Sequence, residues 1–91
     1  MMVVLTYDVS LTADGGAKRL RRVAKLCERY GMRVQNSVFE LLVDAGQLIS
    51  IKAKLADIIN PEEDSVRIYR LGKVYESKIE YMGKPLLVHQ G

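Results

Sequence analysis

The feature that most constrains the fold is the run of residues 2–8, MVVLTYD, close to the first residue of the sequence. Its side chains alternate between the two sides of an extended strand, with Val3, Leu5 and Tyr7 on one side and Val4, Thr6 and Asp8 on the other. Because both sides are largely apolar, the run predicts a central strand that is covered on both faces. The rest of the chain must then provide the strands that flank this one in a sheet.

The remaining sequence predicts two helices and further strands. Stripes of apolar residues at helical spacing predict helices over 16–30 and 47–59, and β-branched and aromatic residues predict extended chain over 32–44 and 65–71. The 32–44 stretch is interrupted by Asn36-Ser37, so it is either two short strands or one bulged strand. Gly31 is the expected cap at the end of the first helix, and Asp44 is a candidate N-cap of the second.

The order strand, helix, strand, strand, helix, strand is typical of an α+β, ferredoxin-like βαββαβ sandwich. We expect one domain over residues 1–91, with an antiparallel sheet and both helices on one face. A chain this small with apolar positions on its uncovered sheet face is expected to form a homodimer. Residues 72–91 are a less regular C-terminal tail, in which 85–90 predicts a short extra strand.

Composition limits the partners, ligands and cellular location to be expected for the protein. The net charge of +3 mildly favours anionic partners. Cys27 is the only cysteine, which excludes an intrachain disulfide and favours a cytoplasmic location. The first residues are too short an apolar run for a signal peptide or a membrane span, so no membrane partner is expected. His89 is the only histidine, which argues against zinc, and the acidic residues 62–64 are expected to form a solvated turn.

Asp8 is the main candidate for chemistry, and two interpretations of it remain open. A carboxylate at a strand end is a suitable ligand for Mg²⁺ or Mn²⁺, and two copies of Asp8 facing each other across a dimer axis would make a two-carboxylate site. Alternatively, Asp8 forms an Asx turn or caps a helix where the strand ends.

The first predicted helix is strongly basic. It contains Lys18, Arg19, Arg21, Arg22, Lys25 and Arg29, with Glu28 as its single acid. Helical spacing places five of these cations along the solvent side, namely Lys18, Arg21, Arg22, Lys25 and Arg29. This row is either a surface that follows the phosphates of a nucleic acid or an ordinary solvated helix face. Cys27 lies on the apolar stripe and is expected to be packed in the core.

Four segments together resemble one known family. These are TYDV at the end of the first strand, the basic helix, YGMRVQNSVFE and RIYRLG, and the resemblance runs from residue 1 to about residue 71. The combination resembles the small CRISPR-associated adaptation protein, a ferredoxin-like dimer that partners the CRISPR integrase. It looks closest to the branch found with subtype I-C loci.

The resemblance implies several functional features. Family members are homodimers whose first-strand aspartates, here Asp8, face each other and hold a divalent metal, and they are described as metal-dependent endonucleases. Arg33 and Phe39 match family positions near the active site, and Arg22 matches a basic one, while Ser37 lies in the same motif. The family's last strand often crosses to the partner's sheet, a role that would fall to residues 72–91 here.

Three functional hypotheses follow. The first is a metal-dependent endonuclease for double-stranded DNA, single-stranded RNA or both, a slow or dispensable activity in which Asp8 holds the metal. Its nucleic-acid-binding residues would be Lys18, Arg19, Arg21, Arg22, Lys25, Arg29 and Arg33. The second is a non-catalytic DNA-binding bridge between integrase dimers during spacer acquisition. The third is a small ferredoxin-like dimer that binds a ligand or a protein.

Overall fold

The computed structural model of the protein describes residues 1–83. Within this range the chain forms its strands and helices in the predicted βαββαβ order. The elements are β1 Met2–Asp8, α1 Gly16–Cys27, β2 Gly31–Gln35, β3 Val38–Leu42, α2 Ala45–Ile58, β4 Ser65–Gly72 and a 3-10 turn at Glu76–Lys78. The predicted α+β fold class is confirmed, and the 32–44 stretch is two strands joined by a turn.

The four strands form one antiparallel sheet in the order β2-β3-β1-β4. β1 therefore lies in the middle, as the sequence predicts, with Leu5 paired to Phe39 on β3 and to Ile68 on β4. This is the strand order of a ferredoxin-like sandwich. It places the C-terminal end of β1 between the N-terminal ends of β3 and β4.

The two helices and one face of the sheet enclose the core. Val3, Leu5 and Tyr7 point to this face and are at most 1% exposed. Their core neighbours include Phe39 and Leu41 from β3, Val23 and Cys27 from α1, and Leu48, Ile51 and Leu55 from α2. Burying each large apolar side chain stabilises the fold by about 1.5–3 kcal/mol, so β1 is the best-anchored strand.

The opposite face of the sheet carries no helix within residues 1–83. Val4 and Thr6 on β1 are half-buried there, while Leu42 and Tyr69 on the flanking strands are 54% and 46% exposed. Among the described residues, the expected cover of both faces of β1 is therefore met on one face only. A second surface is needed to bury the apolar part of the other face.

Gly31 has a different role from the predicted one. α1 ends at Cys27, three residues earlier than predicted, and Gly31 is the first residue of β2 rather than a helix cap. A Cβ atom at Gly31 would lie 1.9 Å from the carbonyl oxygen of Glu40. Glycine is needed because β2 approaches the backbone of β3 closely, a long-range contact that local pattern does not reveal.

The start of α2 confirms the predicted cap. The Asp44 side chain accepts a hydrogen bond from the Gln47 N–H at 2.7 Å, and the Gln47 side chain accepts one from the Asp44 N–H at 3.0 Å. This reciprocal capping box satisfies two backbone donors and typically contributes about 1 kcal/mol. It starts α2 at Ala45, two residues before the predicted boundary.

The C-terminal tail is described only as far as Gly83. Val74, Tyr81 and Met82 in it are largely exposed. The predicted extra strand over 85–90 and His89 lie outside the described residues, and so does the end of the segment 72–91 to which strand exchange with a partner was assigned. No helix among residues 1–83 has the length and apolar character that crossing a membrane requires.

Candidate metal and nucleic-acid site

Asp8 is the last residue of β1 and lies on the face of the sheet that the helices leave uncovered. Side chains alternate along a strand, so the buried Tyr7 and the exposed Asp8 point to opposite faces. Asp8 pairs with Ser65, the first residue of β4. The carboxylate is thus presented to solvent from a central strand of the sheet.

The structure tests the capping interpretation of Asp8. The N-cap of α1 is Gly15, without a side-chain cap, and Asp8 makes no side-chain hydrogen bond or ion pair within residues 1–83. A capping aspartate would accept a hydrogen bond from a backbone N–H one to three residues later. The capping interpretation is therefore wrong for the described chain, and Asp8 is available to a ligand.

The turn between β2 and β3 lies beside the end of β1. The N–H of Tyr7 donates to the carbonyl oxygen of Ser37 at 2.9 Å, and Thr6 pairs with Val38. This hydrogen bond joins the backbone immediately before Asp8 to the hairpin turn. Ser37 therefore contributes through its backbone to holding the end of β1.

Arg33 and Phe39 lie on the helix side of the sheet, so a single chain does not bring them together with Asp8 in one pocket. They are cross-strand partners, with the Arg33 guanidinium carbon 5.8 Å from the centroid of the buried Phe39 ring. The Arg33 Nε and Nη2 atoms donate to the carbonyl oxygen of Asn36 at 2.9 Å and 2.6 Å. Phe39 supports the guanidinium, and the guanidinium closes the β2–β3 turn.

The predicted row of cations is present, although its last member lies beyond the end of α1. Lys18, Arg21, Arg22 and Lys25 on α1 and Arg29 in the turn that follows it are all exposed, and we call these five residues the basic row. Arg33 on β2 lines a shallow surface cleft together with Arg21, Lys25 and Arg29 of the row. Positive charge therefore extends from α1 onto the edge of the sheet, which suits a polyanion.

Arg19 does not belong to this exposed row. It points inward, and its Nε atom donates to the Asp64 carboxylate at 2.8 Å, while the Tyr7 hydroxyl group donates to the same carboxylate. The Asn60 N–H is a further donor at 2.9 Å. Tyr7, Arg19 and Asp64 are called the buried cluster below.

Ionisation in the buried cluster follows from these contacts. Burial raises the pKa of the Asp64 carboxyl, but hydrogen bonds from Arg19, Tyr7 and Asn60 outweigh burial and hold that pKa below its ordinary value. Burial and the neighbouring carboxylate raise the pKa of Tyr7 to about 12. The hydrogen bond to Asp64 raises the pKa of Arg19. At neutral pH the cluster is a carboxylate held by a guanidinium and a neutral phenol.

Sequence reasoning missed Asp64, because it lies in the acidic stretch that was predicted to be a solvated turn. Glu62 and Glu63 are exposed as expected. Asp64 is only 8% exposed, so the prediction of a solvated turn is wrong for this residue. One signal was available in the sequence: Arg19 falls off the solvent row at helical spacing. An inward-facing arginine requires a buried acid as its partner.

Few side chains among residues 1–83 lie where they could ligate one metal ion together. Residues 1–83 contain no group of three or more histidine, cysteine or acidic side chains close enough to hold a metal ion. Asp8 offers carboxylate oxygens, the ligand type that Mg²⁺ and Mn²⁺ prefer. Within residues 1–83 the chain thus holds no complete set of protein ligands for a metal ion, and a shared site would require a second chain.

The fold and the site define a ferredoxin-like βαββαβ domain with an exposed carboxylate at the end of its central strand and a basic first helix. The profile of the family described as CRISPR associated protein Cas2 matches residues 1–79. The chain therefore belongs to the CRISPR-associated Cas2 family, which confirms the resemblance found in the sequence. The placement near subtype I-C stays a prediction.

Individual relatives agree with this assignment. The chain is 57% identical over 83 residues to the CRISPR-associated endonuclease Cas2 of Halalkalibacterium halodurans, covering 91% of this chain and 86% of that one. It is 48% identical over 82 residues to the CRISPR-associated endoribonuclease Cas2 3 of Rhodospirillum rubrum, covering 90% of this chain and 86% of that one. The crystal structure of Streptococcus pyogenes Cas2 at pH 6.5 superposes with a TM-score of 0.83 at 51% identity, covering 91% of this chain and 100% of that chain.

Proposed function

We propose that the protein is a metal-dependent endonuclease of CRISPR adaptation that hydrolyses phosphodiester bonds at a site centred on Asp8. The observation that carries the proposal is the exposed, unengaged carboxylate at the end of the central strand, in a chain of the Cas2 family. Relatives named endonuclease and endoribonuclease support the same reaction class. The proposed substrates are double-stranded DNA and single-stranded RNA.

A homodimer is part of this proposal. The uncovered sheet face carries half-buried Val4, Thr6 and Val38 and the exposed Leu42 and Tyr69, which a second copy of the face would bury. A two-fold axis through such an interface presents the same residues from both chains to each other. Asp8 lies on this face, so the interface is where two carboxylates can approach one ligand.

The donor chemistry fits Mg²⁺ or Mn²⁺, which the two Asp8 carboxylates would hold with water in the remaining positions. When bound, such an ion supplies a water of lowered pKa and neutralises charge that develops on the phosphate. The side chains of this protein hold the substrate. The basic row binds phosphates on the outer side of α1 and positions the strand that is cut.

Arg33 and Phe39 have supporting roles in this proposal. The Arg33 guanidinium uses Nε and Nη2 to close the β2–β3 turn, which leaves Nη1 for a phosphate in the cleft shared with the basic row. Phe39 keeps the guanidinium in place from below. Arg19, by contrast, acts inside the protein through Asp64 rather than on the nucleic acid.

The test compares wild type with Asp8→Ala and with Asp57→Ala, which removes an exposed aspartate of α2 far along the chain from the site. Each protein is incubated with labelled duplex DNA or single-stranded RNA in Mg²⁺, Mn²⁺ or EDTA, with circular dichroism and size-exclusion controls. We expect metal-dependent cutting by wild type and Asp57→Ala and none by Asp8→Ala. Equal cutting by wild type and Asp8→Ala would contradict the proposal.

A second candidate function is a non-catalytic bridge that binds DNA between integrase dimers. It is favoured by the single carboxylate per chain, which predicts slow catalysis, and by the length of the basic row. The exposed Glu62 and Glu63 are candidates for contact with the integrase. If the protein binds duplex DNA without cutting it, and if Asp8→Ala leaves that binding unchanged, the bridge is favoured over the nuclease.

The proposal also includes a cellular location and a measurement that separates the third hypothesis from the other two. The place of action is the cytoplasm, where the free thiol of Cys27 stays reduced. A dimer that binds only a small ligand or a protein would show no salt-dependent affinity for nucleic acid near physiological ionic strength. Duplex titrations at several salt concentrations therefore separate that third hypothesis from the first two.

A further inference from the structure

Asp64 is the only acidic or basic residue that is buried among residues 1–83, and the proposed function does not use it directly. Removing a carboxylate from water is costly unless hydrogen bonds and an opposite charge compensate. Its Oδ2 atom accepts from Arg19 Nε at 2.8 Å, from the Asn60 N–H at 2.9 Å and from the Tyr7 hydroxyl group, and its Oδ1 atom accepts from Arg19 Nη2 at 3.2 Å. These donors hold the carboxylate in a single position.

The buried cluster connects β1 to the start of β4 next to Asp8. Tyr7 immediately precedes Asp8 on β1, and Asp64 immediately precedes Ser65, the cross-strand partner of Asp8 on β4. The side-chain bond between Tyr7 and Asp64 therefore closes a small ring around the last residue pair of the two strands. A change in this bond reaches Asp8 through one peptide unit on each strand.

The same cluster fixes α1 relative to this strand end. Arg19 is the basic residue of α1 that points inward, and 45 residues separate it from Asp64. Its Nη1 atom also donates to the carbonyl oxygen of Asp14 at 3.0 Å, in the loop that leads from Asp8 to α1. Its Nη2 atom lies 3.6 Å from the exposed Glu63 carboxylate. The guanidinium thus connects the helix, the loop and the turn that leads into β4.

We propose that Asp64 is a positioning residue for phosphodiester cleavage, joining Tyr7 to Arg19 so that Asp8 keeps a fixed position relative to the basic row on α1. This inference rests on the proposed function of Asp8. The nucleic acid is held by the row while the reaction occurs at Asp8, so the rate depends on the distance between the two. Displacing a reacting group by about 1 Å can cost about a hundredfold in rate.

Kinetics of three variants test this role. Tyr7→Phe removes only the hydroxyl group, Asp64→Asn removes the charge, and Tyr30→Phe is the matched control at a half-buried tyrosine outside the cluster. We expect Tyr7→Phe to lower kcat about tenfold or more while KM and the duplex Kd stay unchanged. Asp64→Asn should lower kcat further, and Tyr30→Phe should match wild type.

Two further measurements separate positioning from loss of fold. Folded fractions are matched by circular dichroism before each assay, because unfolding would reduce binding and turnover together. Mn²⁺ titration followed by electron paramagnetic resonance should show weaker binding by Tyr7→Phe than by Tyr30→Phe. If Asp64→Asn fails to fold, the kinetics and Mn²⁺ binding of Tyr7→Phe test the positioning role on their own.

The outcomes distinguish this inference from the function on which it rests. Wild-type kcat and Mn²⁺ binding in Tyr7→Phe, with Asp8→Ala inactive, would overturn the role of Asp64 and leave the nuclease intact. A parallel rise in KM and Kd with the fall in kcat would also overturn it, since the cluster would then serve binding. Absence of cutting by wild type would remove both proposals.

Discussion

Tyr7 and Asp64 lie 57 residues apart in the chain, and the Tyr7 hydroxyl group donates a buried hydrogen bond to the Asp64 carboxylate. The bond connects the central strand to the residue before the edge strand β4. On the opposite side of the sheet from Tyr7, one residue later, Asp8 is exposed. A buried contact that looks purely structural therefore involves the residue directly before the candidate metal ligand.

The buried carboxylate should make stability depend on acid pH. Because the folded-state pKa of Asp64 is below its ordinary value, its contribution is present above the unfolded-state pKa and is lost as pH falls through the folded-state pKa. We expect Asp64→Asn to lower the unfolding free energy by about 2–3 kcal/mol at pH 7. The difference from wild type should shrink steadily below about pH 4.

Urea unfolding at a series of pH values measures this difference, and Asp57→Asn on the exposed surface of α2 is the control. The control should follow wild type at every pH. A constant difference between Asp64→Asn and wild type from neutral to acid pH would show that the charge of Asp64 is not what stabilises the cluster.

Much of the fold was predictable because it rests on local patterns. The apolar alternation of residues 2–8 indicates a central strand, and the stripe on α1 indicates its buried face. The contacts that fix exact boundaries are long-range, as with Gly31, which must be small because of the Glu40 carbonyl on another strand. No periodicity within a helix or strand carries that information.

The candidate site was predictable to a different degree for each residue. Exposure of the basic row follows from helical spacing, and the structure agrees, whereas the exposure of Asp8 differs from the expected cover of β1 on both faces. The buried state of Asp64 depends on contacts with residues 45 and 57 positions away, so a window around EED could not indicate it. The resemblance to the family implies that Arg33 and Phe39 lie near the active site, which stays a prediction; within one chain, pairing on β2 and β3 places them on the other face of the sheet from Asp8.

Cys27 should be unreactive in the folded protein. It is completely buried, and burial raises its pKa to about 12, so the reactive thiolate is scarce at neutral pH. We expect its reaction with a disulfide reagent to be slower than in urea by a factor on the order of 10³ or more. Ala53→Cys in a Cys27→Ala background is the exposed control and should react at once; equally fast labelling of native Cys27 would contradict its burial.

Arg33 should not be replaceable by lysine. Two nitrogen atoms of its planar guanidinium donate to the Asn36 carbonyl oxygen, an arrangement that a lysine ammonium cannot reproduce. We expect Arg33→Lys to lower the unfolding free energy by about 1 kcal/mol and to speed amide exchange in the β2–β3 turn. Chemical denaturation and hydrogen exchange measure both effects.

Arg21→Lys is the matched control for Arg33, since it makes the same exchange at an exposed position of α1. It should leave stability and turn protection unchanged. If Arg33→Lys and Arg21→Lys behave alike, then Arg33 contributes only its charge and the β2–β3 turn does not depend on the guanidinium geometry.

The basic row should determine the salt dependence of DNA binding. Each phosphate contact releases condensed counterions, so the slope of log K against log salt reports the number of contacts. Removing two charges with Arg21→Gln and Arg22→Gln together should reduce the magnitude of that slope by about 2. Lys52→Gln with Lys54→Gln removes the same charge from exposed positions of α2, so it should leave the slope near wild type. An equal effect of both pairs would mean that net charge alone, rather than a phosphate path along α1, attracts the nucleic acid.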